Sequence, residues 1–132
     1  MVQLLVALDN DLPQTQAQIA AVEDIAETAS GAKAFLLHVF TDNPEGASVH
    51  QLRAVRETKD RLEDAGVTVE LLESSGDPAK EVLRHAEEYD VDQICIGGQK
   101  RSPAGKALFG SVTQDVVLGA ERPVLVCGST SE

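Results

Sequence analysis

Short apolar runs alternate along this chain with segments whose apolar residues recur at helical spacing, and that alternation restricts the fold more than any other feature. The runs cover residues 3–8, 34–40, 67–72, 93–96 and 124–127. Residues 34–40 read as a strand covered on both faces, whereas 67–72 alternates apolar and polar, as expected nearer a sheet edge. After the first run, Pro13 suits the first turn of a helix. Ile19, Val22, Ile25, Ala26 and Ala29 then keep helical spacing until Gly31 stops it. Val49, Leu52, Val55 and Leu62 outline a second helix that Gly66 ends. Asp77-Pro78 opens a third, a carboxylate that accepts from free N–H groups followed by proline at the first helical position. Val82, Leu83 and Ala86 form its inner face, and Val112, Val116, Val117 and Ala120 mark a fourth helix that ends before Pro123. Five strands alternating with four helices predict a single α/β domain over residues 1–132, a parallel sheet wrapped by helices on both faces.

Composition bounds what such a domain does. With 132 residues, 42% of them hydrophobic, there is material for one core. The formal net charge of -11 opposes general binding to nucleic acid or anionic membrane, because the field of the whole molecule repels phosphate polymers. No apolar run approaches the roughly 20 residues of a membrane span, so a cytoplasmic protein is expected. Cys95 and Cys127 each lie in a strand-like run and are expected as core thiols. Two cysteines at this spacing make no zinc motif, and His38, His50 and His85 are scattered, so no metal is expected.

The chemistry concentrates in residues 97–113. This segment leaves the fourth strand through Gly97-Gly98, carries Lys100, Arg101 and Lys106, and ends in Gly110-Ser111 where the fourth helix begins. A strand that empties through glycines into a helix N-terminus aims backbone N–H groups and the positive end of a helix dipole at one spot, which suits phosphate. Three cations there reverse the sign of an acidic chain. It is not a Walker-type loop: Lys100 stands where the first glycine of that motif belongs, and Ala107 follows Lys106 where serine or threonine would ligate magnesium. A plain connection capping a helix is the alternative, although about a dozen structureless residues are uncommon in a compact domain. In open sheets of this kind ligands sit beyond the carboxyl ends of the strands where the winding reverses. Were strands one and four neighbours, Asp9 and Gly97 would leave the sheet side by side in that crevice, with Asp9 able to accept from an amine or a ribose hydroxyl. Ser102 and Ser111 have no histidine or acid nearby in sequence that would build a nucleophile, so no catalysis is expected.

Taken together, these motifs resemble the universal stress protein family over nearly the whole chain. The resemblance rests on Val6-Ala7-Leu8-Asp9, Leu37-His38-Val39, Gly76-Asp77-Pro78-Ala79, residues 97–113, and Arg122-Pro123-Val124-Leu125-Val126. Its most specific element is Gly110-Ser111-Val112-Thr113, placed thirteen residues after Gly97. In ATP-binding members a second glycine follows the first by three residues; here Lys100 holds that place, and its ammonium either contacts phosphate or blocks the site. The resemblance implies the adenine nucleotide alpha hydrolase-like fold, with five parallel strands in the order 3-2-1-4-5. It implies ATP or AMP as a regulatory ligand, with or without magnesium, in a stress-response protein. Ala7, Leu8, Asp9 and Val39 would serve the adenosine end. Gly97, Lys100, Arg101, Gly110, Ser111, Val112 and Thr113 would serve ribose and phosphates. It further implies a homodimer through the last strand. The competing expectation is a dimeric module of the same fold that binds no nucleotide, its cationic loop meeting another anion or a protein partner.

Overall fold

A computed structural model describes residues 1–8, 12–40, 53–101 and 107–128, with side chains described for 1–8, 16–39, 55–97 and 110–127. The elements run β1 (Val2–Leu8), α1 (Leu12–Thr28), β2 (Ala32–Phe40), α2 (Arg53–Asp64), β3 (Thr68–Ser75), α3 (Pro78–Glu88), β4 (Gln93–Arg101), β5 (Ala107–Phe109), α4 (Ser111–Gly119) and β6 (Val124–Gly128). Five strands are parallel neighbours in the order β3-β2-β1-β4-β6, the expected 3-2-1-4-5 arrangement.

The two-residue period of a strand sorts β1 and β2 onto two cores. Leu4, Val6, Leu8, Ala34 and Leu36 face a layer completed by Ile19 and Val22 of α1 and Val55 and Leu62 of α2. Leu5, Phe35 and Leu37 face the opposite layer, with Ala79, Val82 and Ala86 of α3 and Val116 of α4. Central strands buried on both faces need apolar side chains at successive positions, which explains the unbroken runs in the sequence.

The helix boundaries follow their local chemistry. Asp77 caps α3, its carboxylate accepting from the Lys80 N–H at 3.0 Å, with proline in the first turn. Gly66 ends α2 with φ +87°, while Val67 N–H returns to the Leu62 carbonyl at 2.9 Å. Only a residue free of a Cβ takes that backbone without strain. At the end of α1 the left-handed turn begins one residue earlier than expected, on Ser30 at φ +61°. The first helical residue of α2 is Arg53; Val49 and Leu52, expected in that helix, lie outside the described residues.

The segment after Ile96 departs from expectation. β4 does not stop there but continues to Arg101, and β5 runs back antiparallel to it, with Gln99 opposite Phe109, Lys100 opposite Leu108 and Arg101 opposite Ala107. What reads in sequence as one long connection is a hairpin. Three residue pairs join its two strands, a pairing that the glycines and lysines in the sequence do not announce. Pairing of β4 with β6 is irregular between Gly97 and Gln99, where the hairpin leaves the main sheet.

Candidate functional site

The strand order reverses at β1. Its partner toward one edge is β2 and toward the other is β4, and the β1–β4 pairing runs from Leu4–Gln93 to Ala7–Ile96. In doubly wound sheets the ligand crevice lies beyond the carboxyl ends of the strands at such a reversal.

Several expected residues gather around this crevice. Ala7 and the buried Leu8 close β1, and Leu8 pairs with His38 of β2. Val39 follows on β2, half-buried and packed against the α3/α4 layer. Gly97 is buried on β4, and Gly110, Ser111, Val112 and Thr113 form the start of α4. Asp9, Ser102 and Lys106 lie outside the described residues, as do the side chains of Lys100 and Arg101, whose backbones belong to β4.

Two buried side chains, Thr113 and Gln18, tie the elements together beneath the site. The Thr113 hydroxyl donates to the Gly97 carbonyl at 2.9 Å in a buried position, fastening the first turn of α4 to β4. The Gln18 amide donates to the Ala7 carbonyl at 2.7 Å and reaches the Cys95 carbonyl at 3.4 Å, spanning β1 and β4 where they part. Gln18 is only 1% exposed. Sequence reasoning overlooked it, yet the signal was present: residue 18 shares the inner stripe of α1 with Val22 and Ile25, so a polar side chain there had to find buried partners.

Gly110 occupies the N-cap of α4 with φ -69° and ψ 165°, and no side chain caps the helix. The first helical hydrogen bond runs from Gln114 N–H to the Gly110 carbonyl at 3.0 Å. The N–H groups of Ser111, Val112 and Thr113 precede it and have no intrahelical acceptor. A Cβ at Gly110 would meet nothing within 4 Å among the described residues. The backbone there is extended, so neither conformation nor packing among the described residues demands glycine.

At the end of β3, the Glu81 carboxylate of α3 receives Arg84 Nη2 at 2.6 Å and Nε at 3.2 Å, and the Ser74 hydroxyl donates to the same oxygen. Arg84 and then Ser74 hold its pKa down to about 2. Arg122, singled out in the sequence only as the start of the run over residues 122–126, donates to the Ala86 and Val91 carbonyls at 2.9 and 2.8 Å, closing the C-terminal end of α3 onto the connection to β4. No group of three His, Cys, Asp or Glu side chains placed to hold a metal occurs among the described residues. None of the described helices is long and apolar enough to cross a membrane.

A parallel sheet whose strand order reverses at β1, with helices packed on both faces, defines an α/β protein of the doubly wound class. The chain belongs to the universal stress protein family, whose model matches residues 1–128. A universal stress protein of Mycolicibacterium smegmatis is 36% identical over 72 residues, which are 54% of this chain and 55% of the relative. Universal stress protein MJ0577 of Methanocaldococcus jannaschii is 37% identical over 68 residues, 52% of this chain and 42% of the relative. These two matches span about half the length of the relatives. The solved MJ0577 structure superposes with a TM-score of 0.78 at 25% identity, covering 99% of this chain and 98% of that one. A family protein from Arabidopsis thaliana, solved with AMP bound, superposes with a TM-score of 0.73 at 19% identity, covering 99% and 94%.

Proposed function

We propose that the chain binds an adenine nucleotide, ATP or AMP, in the crevice between the carboxyl ends of β1 and β4, as a regulatory ligand in a stress response. Gly110 carries this proposal. Nothing among the described residues requires glycine at that N-cap, whereas a phosphate seated on the N–H groups of Ser111, Val112 and Thr113 would leave no room for a side chain. Phosphate also complements the positive end of the α4 dipole, and on this reading the cationic side chains of Lys100 and Arg101, whose backbones belong to β4, would add attraction. Support comes also from structurally similar universal stress proteins described in complex with AMP, dAMP and cAMP. The Thr113 hydroxyl is engaged with Gly97, so its contribution to ligand falls to its N–H. Ala7, Leu8, Asp9 and Val39 would line the adenosine end, and the hairpin would cover the phosphates.

Calorimetric titration with ATP and AMP, with and without magnesium, tests this directly. Saturable binding that is lost in a folded Gly110→Val protein is expected. Absence of binding, or equal binding by the variant, would remove nucleotide from the crevice and favour a module that uses its cationic hairpin for another anion.

The same proposal includes a homodimer through β6. That strand pairs with β4 alone among the described strands, and Leu125 on it is 36% exposed. An edge carrying apolar surface invites pairing with a second copy. Leu125→Glu is expected to shift the mass in solution from dimer to monomer; a monomeric parent at micromolar concentration would refute it.

A further inference from the structure

The thiols of Cys95 and Cys127 take no part in the nucleotide site proposed above, yet their sulfurs lie 3.6 Å apart. Cys95 pairs with Leu125 and Cys127 with Gly97, so the two cysteines are two positions apart on neighbouring parallel strands. Both join the core layer that packs against α1 and α2. Both are free thiols, 1% and 7% exposed respectively. Two buried small hydrophobes could sit anywhere in such a layer; these two touch sulfur to sulfur across the β4–β6 pair.

We propose that Cys95 and Cys127 form an oxidisable dithiol site, which a small hydroperoxide closes to an intramolecular disulfide tying β6 to β4. A disulfide needs the sulfurs about 2.05 Å apart, so closure requires an approach of roughly 1.5 Å. Side-chain rotation and the irregular pairing between Gly97 and Gln99 next to Cys127 provide the freedom for it.

The pair is chemically unequal. A hydrogen bond from the Cys95 thiol lowers the Cys127 pKa, while the same contact, together with burial, raises that of Cys95. Cys127 is also the more exposed, which makes it the attacking sulfur. Its thiolate attacks one oxygen of the hydroperoxide, forming an S–O bond and breaking the O–O bond. The departing hydroxide or alkoxide takes up the proton that Cys127 gave. Cys95 sulfur then attacks the Cys127 sulfenic acid, forming the S–S bond and breaking S–O, and the released hydroxide leaves as water with the Cys95 proton. Two electrons pass from the two sulfurs to the peroxide, which is reduced to water and an alcohol or to two waters. Contact with Cys95 places the resolving thiol in position before the sulfenic acid can oxidise further.

The test treats the folded, full-length chain with hydrogen peroxide, denatures it, blocks remaining thiols with N-ethylmaleimide and measures the intact mass. Loss of both reactive thiols together is expected, with a mass decrease of about 2 Da before blocking, restored by dithiothreitol. The Cys95→Ser protein should instead stop at a Cys127 sulfenic acid trapped by dimedone. The melting temperature of the oxidised parent should rise, because the cross-link restricts the unfolded chain. Two intact thiols after free cysteine in the same tube has been consumed would overturn the proposal. A gain of two oxygens on one cysteine, or a disulfide between two chains, would overturn it equally. None of these readouts depends on nucleotide binding, so the two proposals stand or fall separately.

Discussion

Thr113 and Gly97, sixteen residues apart, are joined by a buried 2.9 Å hydrogen bond from hydroxyl to carbonyl that sets α4 over the end of β4. The helix N-terminus is thereby held at one height above the sheet, which is what a phosphate cradle needs and what a free loop would not supply. Thr113→Val keeps the shape and removes the donor, leaving the Gly97 carbonyl buried without it. A loss of about 1–3 kcal/mol in unfolding free energy is expected by urea denaturation, with nucleotide affinity falling as well. Thr113→Ser should recover most of the stability; equal losses in both variants would show that the methyl group, not the hydroxyl, matters.

Gly110→Ser should separate stability from binding. Serine is among the preferred N-cap residues, and its hydroxyl can accept from the N–H of Val112 or Thr113 with nothing nearby to clash. The gain over glycine at an N-cap is a few tenths of a kcal/mol. If phosphate binds there as proposed, the same hydroxyl takes up one of its donors and fills the approach. The variant should therefore melt at or slightly above the parent temperature while binding nucleotide at least tenfold more weakly. Unimpaired affinity would place the phosphates elsewhere.

The strands and the two covering layers were readable in the sequence because β1 and β2 are buried on two faces, so their apolar pattern is unambiguous, whereas the strand order came only from the family resemblance. Asp77-Pro78 announced α3 for an equally local reason. The β4–β5 hairpin was not readable, since Gly97, Gly98 and the lysines argue for a loop and its pairing is set by tertiary context. Gly97, Gly110 and Thr113 were legible as a group from their spacing, but not that Thr113 is bonded to Gly97. Gln18 was legible only as an oddity in an apolar stripe; its partners on β1 and β4 depend on a strand order that spacing alone does not fix.

Acid should weaken the attachment of α3 to β3. Arg84, then Ser74, depress the Glu81 pKa from 4.5 to about 2. A folded-state pKa below the unfolded value gives stability that is present above about 4.5 and lost as pH falls toward 2. Glu81→Gln lacks that contribution at every pH. The difference in urea midpoint between parent and variant should be largest near neutral pH and shrink steadily between pH 4.5 and 2. A constant difference would mean that Glu81 acts through packing, not charge.

Gln18→Glu should turn the floor of the crevice into a pH-sensitive element of the opposite sign. The replacement oxygen would face the Ala7 carbonyl, now 2.7 Å from the amide, and lie close to the Cys95 carbonyl, in a position 1% exposed. An ionised carboxylate there is both desolvated and repelled by acceptors, so its folded-state pKa rises above the unfolded value of about 4.3. Protonated, it can still donate one O–H to Ala7. A raised pKa means the variant comes nearest to the parent below about pH 4.3 and loses stability as pH rises through the folded-state value. Gln18→Leu also removes the donor but cannot titrate, so its deficit should stay level across the same range, at about 1–3 kcal/mol. Melting temperatures of the three proteins from pH 4 to pH 8 give the comparison. If the glutamate and leucine variants track each other at every pH, Gln18 does not hold β1 and β4 through its amide, and the crevice must be kept open by apolar packing alone.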